Sequence, residues 1–370
     1  MKQSLKINCW TCVYINEMQN KEYSTVIIGA GQAGLAAAYY LRKINDDFII
    51  LDEENRIGDA WRKRWDSLRL FTPSQYDGLP GFPFPAIRGT LPSKEEMAEY
   101  LSNYVKEFSL PVQFDTKVIE LYKTVDRYEI ITSKGKVYAD YVIVATGTNP
   151  NAYIPAFASD LDKSIVQIHS SKYKNPQLFP ASNTLVVGAG TSGIEIAIEL
   201  SKSRPTMLSG RATPHIPDFV FRYVGKLYWW FAHNILTLRT PIGRKVRPKI
   251  IKSGAPLISV SIKNVKEAGV EQLPRLKGVQ HGLPQLEDGR VISVTSIVWA
   301  TGYKPDFSWI RFDVADKSGW PKTYRGISVE FKGLYFVGMI FQFGLTSGLV
   351  GGVGRDAAFV VNHLKKTKIQ

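Results

Sequence analysis

The sequence has almost no cysteine. Cys9 and Cys12 are the only two in 370 residues, and both precede the first recognisable fold element. With no thiol after residue 12, a disulfide reductase, which needs a reactive cysteine pair beside its cofactor, is not expected. The Cys-Trp-Thr-Cys spacing also lacks the second pair that would complete a zinc site. The two cysteines read as reduced thiols in an N-terminal extension, residues 1–22, with little fixed structure, and no metal site is expected.

Uninterrupted apolar runs are missing as well. Residues 1–22 carry no long apolar stretch of the signal-peptide kind. The most apolar long stretch, from Phe219 to Leu238, includes Arg222, Lys226 and His233, which are costly inside a bilayer. It reads as an amphipathic helical segment in a soluble, cytoplasmic protein. Plain packing is its first expected role, with a pocket cover or a membrane-surface contact as alternatives. Acidic residues are in deficit, 33 against 47 Lys and Arg, for a net charge of +14. The basic residues are scattered, apart from a modest cluster at Arg244, Lys245, Arg247, Lys249 and Lys252. No nucleic-acid motif accompanies them, so no nucleic-acid partner is expected. Hydrophobic residues make up 44%, enough for full cores, and the length suits two domains.

What is present is a repeated unit. Ser24-Thr-Val-Ile-Ile reads as a buried parallel strand. It leads into Gly29-Ala-Gly31-Gln32-Ala33-Gly34, a helical pattern from Leu35 to Ile44, and a second strand, Phe48-Ile-Ile-Leu51, ending at Asp52. Strand, glycine loop, helix, strand and acid form the dinucleotide-binding fingerprint. Gly29 serves the tight turn, Gly31 lets a pyrophosphate approach the backbone, and Gly34 lets helix and strand close up. The helix N-terminus then faces the phosphates, and Asp52 the ribose. The unit returns at Asn183-Thr-Leu-Val-Val187 and Gly188-Ala-Gly190-Thr191-Ser192-Gly193. Here the next strand ends not in an acid but in Ser209, Gly210 and Arg211, which suits a 2′-phosphate. NADPH is therefore favoured, with NADH admitted.

Two near-identical strands end in Ala-Thr-Gly: Tyr141-Val-Ile-Val-Ala145-Thr146-Gly147 and Ser296-Ile-Val-Trp-Ala300-Thr301-Gly302. They read as crossings between domains. The expected class is α/β, with two Rossmann-like three-layer dinucleotide-binding domains and the NAD(P) domain inserted into the FAD domain. The FAD domain takes residues 23–149 and 298–370. The NAD(P) domain takes 150–297, with a helical insertion at 215–260. A strand ending at Gly338 and a glycine-rich helix start at Thr346-Ser347-Gly348 close the first domain, with helix N–H groups aimed at a flavin.

These ordered motifs resemble the flavin-containing monooxygenase superfamily, above all its short bacterial single-chain members. The resemblance covers residues from about 24 to 364. It includes Gly58-Asp-Ala-Trp61-Arg62, Trp65-Asp-Ser-Leu-Arg-Leu-Phe-Thr72-Pro and Tyr76-Asp-Gly-Leu-Pro-Gly-Phe-Pro-Phe-Pro85. It implies FAD and NADPH as cofactors, with Glu53, Trp61, Arg62 and Val118 among the FAD contacts. It further implies a C4a-(hydro)peroxyflavin that oxidises sulfur or nitrogen nucleophiles, so dioxygen and an apolar small molecule are the expected partners. A homodimer stays open. The family's fingerprint between the glycine loops is half kept: His169 and Tyr173 are present, but Lys163 and Ile165 replace its Phe and Gly. His169 is expected to serve structure at the domain junction. The Asn that many oxygenating members place beside the flavin is missing from Leu70-Phe-Thr72-Pro-Ser-Gln75. Thr72 and Gln75 are the candidates to replace it. An NAD(P)H oxidase, a quinone or ferredoxin reductase, and a transport-linked redox sensor are the rival readings.

Overall fold

The computed structural model describes residues 20–148 and 151–369. Cys9, Cys12 and most of the expected extension lie outside them. The first strand, Lys21–Ile28, runs from exposed to fully buried as its sequence changes from Lys-Glu-Tyr to Val-Ile-Ile. It starts before the expected domain edge at 23, because Lys21 and Glu22 still pair with Val137 and Tyr138. Backbone pairing does not need apolar side chains, so the ladder outlasts the burial that marked the strand in the sequence.

Five parallel strands form the heart of the first sheet, in the order Leu334–Phe336, Gly135–Val144, Lys21–Ile28, Phe48–Leu51, Val112–Gln113. One face is covered by the helices Gln32–Lys43, Lys94–Glu107 and Val350–Ile369. The helix Gln32–Lys43 buries the consecutive alanines 36–38 completely, and their small side chains let it lie close to the sheet. Helix Lys94–Glu107 starts at a capping box between Ser93 and Glu96, which satisfies two otherwise orphaned N–H groups. The opposite face is covered by the hairpin Val118–Lys123 and Tyr128–Thr132, together with Phe307, Ile310 and Val314.

The second sheet is wholly parallel, in the order Glu271–Leu273, Thr206–Ser209, Thr184–Val187, Ser296–Trp299, Val166–His169. Apolar clusters lie on both of its faces. The architecture is α/β with two Rossmann-type units. The boundary expected at 298 falls inside a strand. Ser296–Trp299 pairs along its whole length within the second sheet, so the chain leaves that sheet only at residues 300–302.

The two crossings bind each other. Asn151–Ala152 pairs antiparallel with Tyr303–Lys304. The Gly302 carbonyl accepts the Tyr153 N–H at 2.9 Å and sits 3.0 Å from His169 Nε2. His169 Nδ1 accepts the Ser171 N–H at 3.1 Å, which places the ring proton on Nε2, facing the carbonyl. Burial holds the His169 pKa below its ordinary value, partly offset by the Gly302 carbonyl, with Arg64 lowering it further. A neutral histidine thus fastens the edge strand of the second sheet to the crossing that follows its neighbour, Ser296–Trp299.

The helices of residues 215–260 depart from expectation. The helix Asp218–Asn234 and the turn after it, which leads into the helix Pro241–Ser253, contact the first domain. The Leu238 N–H donates to the Phe343 carbonyl at 2.8 Å, Thr237 bridges to Gly344, and Arg355 donates to the His233 carbonyl. The apolar side that needs cover includes Trp229, whose ring lies 5.4 Å from that of Tyr76.

Replacing His169 by Ala removes the Gly302 contact from a buried site. The expected loss is about 2 kcal/mol in urea unfolding, with flavin absorbance unchanged. Loss of bound flavin at unchanged stability would assign the ring to the cofactor instead.

Candidate active site

A cleft of about 690 Å³ opens at the C-terminal ends of the first sheet's strands. That is where open parallel sheets bind ligands. Its walls include Gly29, Gly31, Gln32 and Ala33 from the glycine loop, and Asp52, Glu53, Trp61 and Val118 from the next elements. Ala145, Thr146 and Gly147 from the first crossing, and Gly338 and Gly348, complete the expected set found there.

Gly31 and Gly34 stand in different surroundings. A Cβ on Gly31 would meet nothing within 4 Å, whereas one on Gly34 would lie 1.9 Å from the Gly29 carbonyl oxygen. Gly31 therefore leaves open space for a ligand, and Gly34 lets helix and strand touch. Asp52 does more than face a ribose. One of its carboxylate oxygens accepts the Ala30 N–H at 2.5 Å and the other the Glu54 N–H at 2.8 Å. It ties the glycine loop to the end of the second strand. Burial raises its pKa in spite of these two bonds.

Three expected cofactor contacts are placed elsewhere. The Arg62 guanidinium lies 3.2 Å from Asp59 and donates to the Ile57 carbonyl, while Arg64 occupies the cleft wall. Thr346 faces a different cavity. Ser347 is buried and accepts the Phe343 and Gly344 N–H groups, each at 3.0 Å. In each case a neighbouring group takes up the side chain: Asp59 and the Ile57 carbonyl for Arg62, His233 for Thr346, and two backbone N–H groups for Ser347. Residues 345–348 form a short 3-10 turn, and the long helix begins at Val350.

The second glycine loop repeats the geometry of the first. A Cβ on Gly190 would meet nothing within 4 Å, and one on Gly193 would lie 1.8 Å from the Gly188 carbonyl. Thr191 and Ser192 open the helix Thr191–Ser201. The crossings correspond as well: Ala145 N–H donates to Ile28, and Ala300 N–H to Val187, both at 2.8 Å. The Thr301 hydroxyl donates to the Tyr153 carbonyl. Ser209 ends the strand Thr206–Ser209. It is fully buried, and its hydroxyl is taken up by the Pro274 carbonyl at 2.7 Å. Arg211 is exposed, with Glu287 at 3.4 Å.

A second cavity of about 640 Å³ lies beside the cleft. One segment serves both: Gly348 and Val353 face the cleft, while Thr346, Leu349, Gly351 and Gly352 face the cavity. A Cβ on Gly351 would fall 1.8 Å from the Tyr76 carbonyl, which explains how this segment and the loop meet. The remaining wall is largely aromatic, with Tyr76, Phe82, Trp229 and Trp230, and includes Thr72, Gln75, Lys226 and His233. Gln75 is tied to its own loop by the Gly89 N–H at 2.8 Å. The His233 ring lies 3.0 Å from the Thr346 hydroxyl, and burial, with Arg355 adding to it, keeps its pKa below the ordinary value. Thr72 is hydrogen-bonded to Asp77. Asp77 is fully buried, and its other oxygen has no partner among the described residues. Burial pushes its carboxyl up to about 7, against a lowering by Thr72.

The model of the pyridine nucleotide-disulphide oxidoreductase family matches residues 26–213. The CzcO-like oxidoreductase of Geobacillus kaustophilus is 39% identical over 342 residues, covering 92% of this chain and 97% of that one. The indole-3-pyruvate monooxygenase YUCCA1 of Oryza sativa is 27% identical over 352 residues, 85% and 86% of the two chains. The solved flavin-containing monooxygenase of Stenotrophomonas maltophilia superposes with a TM-score of 0.78 at 26% identity, over 94% and 99% of the chains.

The chain belongs to the pyridine nucleotide-disulphide oxidoreductase family, on its flavin monooxygenase branch.

It is a flavin-dependent oxidoreductase of that branch. The residues present fit such a cofactor: a deep cleft, a backbone cradle at Gly31 that a Cβ would fill, and an acid at the end of the second strand. No helix among the described residues is long and apolar enough to cross a membrane, and no group of three or more His, Cys, Asp or Glu gathers for a metal. Sequence reasoning missed Arg64, Asn151, Asp306 and Trp309 on the cleft wall, which come from segments without a motif. It also missed Asp77, although this residue stands inside a quoted motif, because burial cannot be read from a Tyr-Asp-Gly turn.

Gly31→Ala should fold with unchanged stability yet purify without flavin colour, because its methyl fills only ligand space. A yellow variant would show that the loop is no pyrophosphate cradle. For Asp77, a pKa raised above its ordinary 3.8 means that stability is full below that value and is lost as pH rises towards 7. Asp77→Asn should therefore match wild type in urea unfolding at pH 4 and exceed it at pH 8, by on the order of 2–4 kcal/mol. A constant difference across pH would refute this assignment.

Proposed function

We propose that this chain is an NADPH-dependent FAD monooxygenase acting on an apolar sulfur or nitrogen nucleophile. One observation carries the reading: the cofactor-sized cleft and the aromatic cavity share the wall formed by residues 346–353. A flavin in the cleft would thus lie beside a molecule in the cavity. The first glycine loop and Asp52 would hold FAD. The second loop would hold NADPH, with Arg211 on the 2′-phosphate. FAD, when bound, would supply the redox chemistry: two electrons from NADPH and two from the nucleophile would reduce dioxygen, one oxygen atom going to the nucleophile and the other, with two protons, to water. The chain's own part is to position the two molecules and keep water out. Trp229, Tyr76 and Phe82 give the cavity an apolar lining suited to a flat or aliphatic group. The rice relative's name specifies an indole-bearing substrate, and a flat aromatic group of that kind suits the same lining.

Thr72 supplies the polar element where many oxygenating relatives carry Asn. While Asp77 is protonated its O–H donates to Thr72, and the Thr72 O–H is free to donate into the cavity. Once Asp77 ionises, Thr72 donates back to the carboxylate and the cavity loses its donor. Coupling, measured as product formed per NADPH consumed, should therefore fall as pH rises through about 7. Thr72→Val should lower it below that pH to the value wild type reaches above it, and change little above it. A pH-independent ratio that Thr72→Val leaves unchanged would defeat this role.

The same substitution of Thr72 for Asn favours one rival, an NAD(P)H oxidase or quinone/ferredoxin reductase without oxygen insertion. Sulfide and amine panels decide between the two readings. Oxygenated product matching NADPH consumption supports the monooxygenase, and peroxide matching it supports the oxidase. Arg211→Ala should raise KM for NADPH at least tenfold, since a charge-assisted phosphate contact is worth about 1.5–3 kcal/mol. KM for NADH should stay put, and equal effects on both would remove Arg211 from the phosphate site.

A further inference from the structure

We propose that the helical pair Asp218–Asn234 and Pro241–Ser253 is a docking surface for an anionic lipid bilayer. The inference concerns where the protein sits, and it does not rest on the chemistry proposed above.

The surface is apolar where a surface should be polar. Phe219 is 61% exposed, Tyr223 75%, Leu227 62%, Trp230 55% and Ile242 52%. Spacings of four and three residues set Phe219 beside Tyr223 and Leu227 beside Trp230, on either side of a kink at Val224. Trp229 and Ala232, on the other side of the same helix, are buried and hold it to the body. The pair is therefore anchored on one side and leaves its large apolar side chains in water on the other.

The charge on this pair has one sign. Between residues 218 and 253 there are eight Lys and Arg but a single acid, Asp218. Arg244, Lys245, Arg247, Lys249 and Lys252 are exposed, and none stands in an ion pair among the described residues. Exposed aromatics mixed with unpaired cations match the interface of an anionic membrane, where rings settle at headgroup level and cations meet phosphate. A second copy of the chain fits poorly, because a two-fold contact would set this cationic face against itself. A nucleic acid would leave Leu227 and Ile242 without a partner.

The position of the patch agrees with such a surface. Trp230 and Lys226 line the aromatic cavity beside the cleft. Tyr223 and Leu227 line a neighbouring cavity of about 810 Å³. Docking would turn both openings towards lipid, so an apolar molecule could pass from the acyl layer into the protein without crossing water.

Vesicle sedimentation of the FAD-loaded full chain tests this. Vesicles of phosphatidylcholine alone are compared with vesicles carrying about 30 mol % phosphatidylglycerol. Binding should be at least tenfold tighter to the anionic vesicles, should weaken in high salt, and should shift tryptophan emission to the blue. Lys245→Glu with Lys249→Glu, and separately Phe219→Ser, should each weaken binding about tenfold, while melting temperature and flavin absorbance stay as in wild type. Three results would overturn the proposal: no binding to either vesicle, a dimer in sedimentation velocity that Phe219→Ser dissolves, or DNA binding that outcompetes anionic vesicles.

Discussion

A Cβ at Gly34 would stand 1.9 Å from the Gly29 carbonyl oxygen, and one at Gly193 would stand 1.8 Å from that of Gly188. The absence of a side chain at these two points lets each helix press its first turn onto the strand it follows. The press brings the helix N-terminus, with its unpaired N–H groups and positive dipole, to the end of a parallel sheet. Each cofactor half-site depends on that contact. Asp52 completes it in the first unit by taking the Ala30 N–H, so the same carboxylate that would face a ribose also sets the loop. In the second unit the strand ends in Ser209, which the Pro274 carbonyl takes up. The two loops share a backbone and differ in their chemistry.

The two units are joined by more than two strands of chain. Their crossings pair with each other, and His169 binds the Gly302 carbonyl beside that pairing. A hydrogen-bonded ribbon is stiffer than two separate linkers, so the second sheet is held against the first where the crossings pair. The third contributor is the helical insertion. It leaves the second sheet and docks on residues 343–346 of the first, closing the aromatic cavity. One wall of the site thus belongs to neither sheet.

Much of this was legible in the residues. The glycine spacings, the acid 18 residues beyond Gly34 and the paired Ala-Thr-Gly strands are local patterns. Local patterns are fixed by backbone geometry that no distant contact overrides. The strand start at Lys21 and the boundary at 298 were misjudged, because hydrogen-bond ladders run past the residues whose burial reveals them. Ser209, Arg62, Thr346 and Ser347 have protein partners that the sequence did not reveal. A polar side chain can serve a ligand or a neighbouring protein group, and which groups lie within hydrogen-bond distance is set by the fold.

The sequence by itself determined two dinucleotide folds, their order along the chain and the family they belong to. Those follow from turns, periodicities and small residues within a few dozen positions of one another. Only the tertiary structure decided that residues 346–353 divide a cleft from an aromatic cavity, that Asp77 is buried with one oxygen bonded to Thr72 and the other without a partner among the described residues, and that large apolar side chains of the helix Asp218–Asn234 are left in solvent. Each of those depends on which surfaces, far apart in the chain, cover one another. Burial is a property of that covering and not of any single residue.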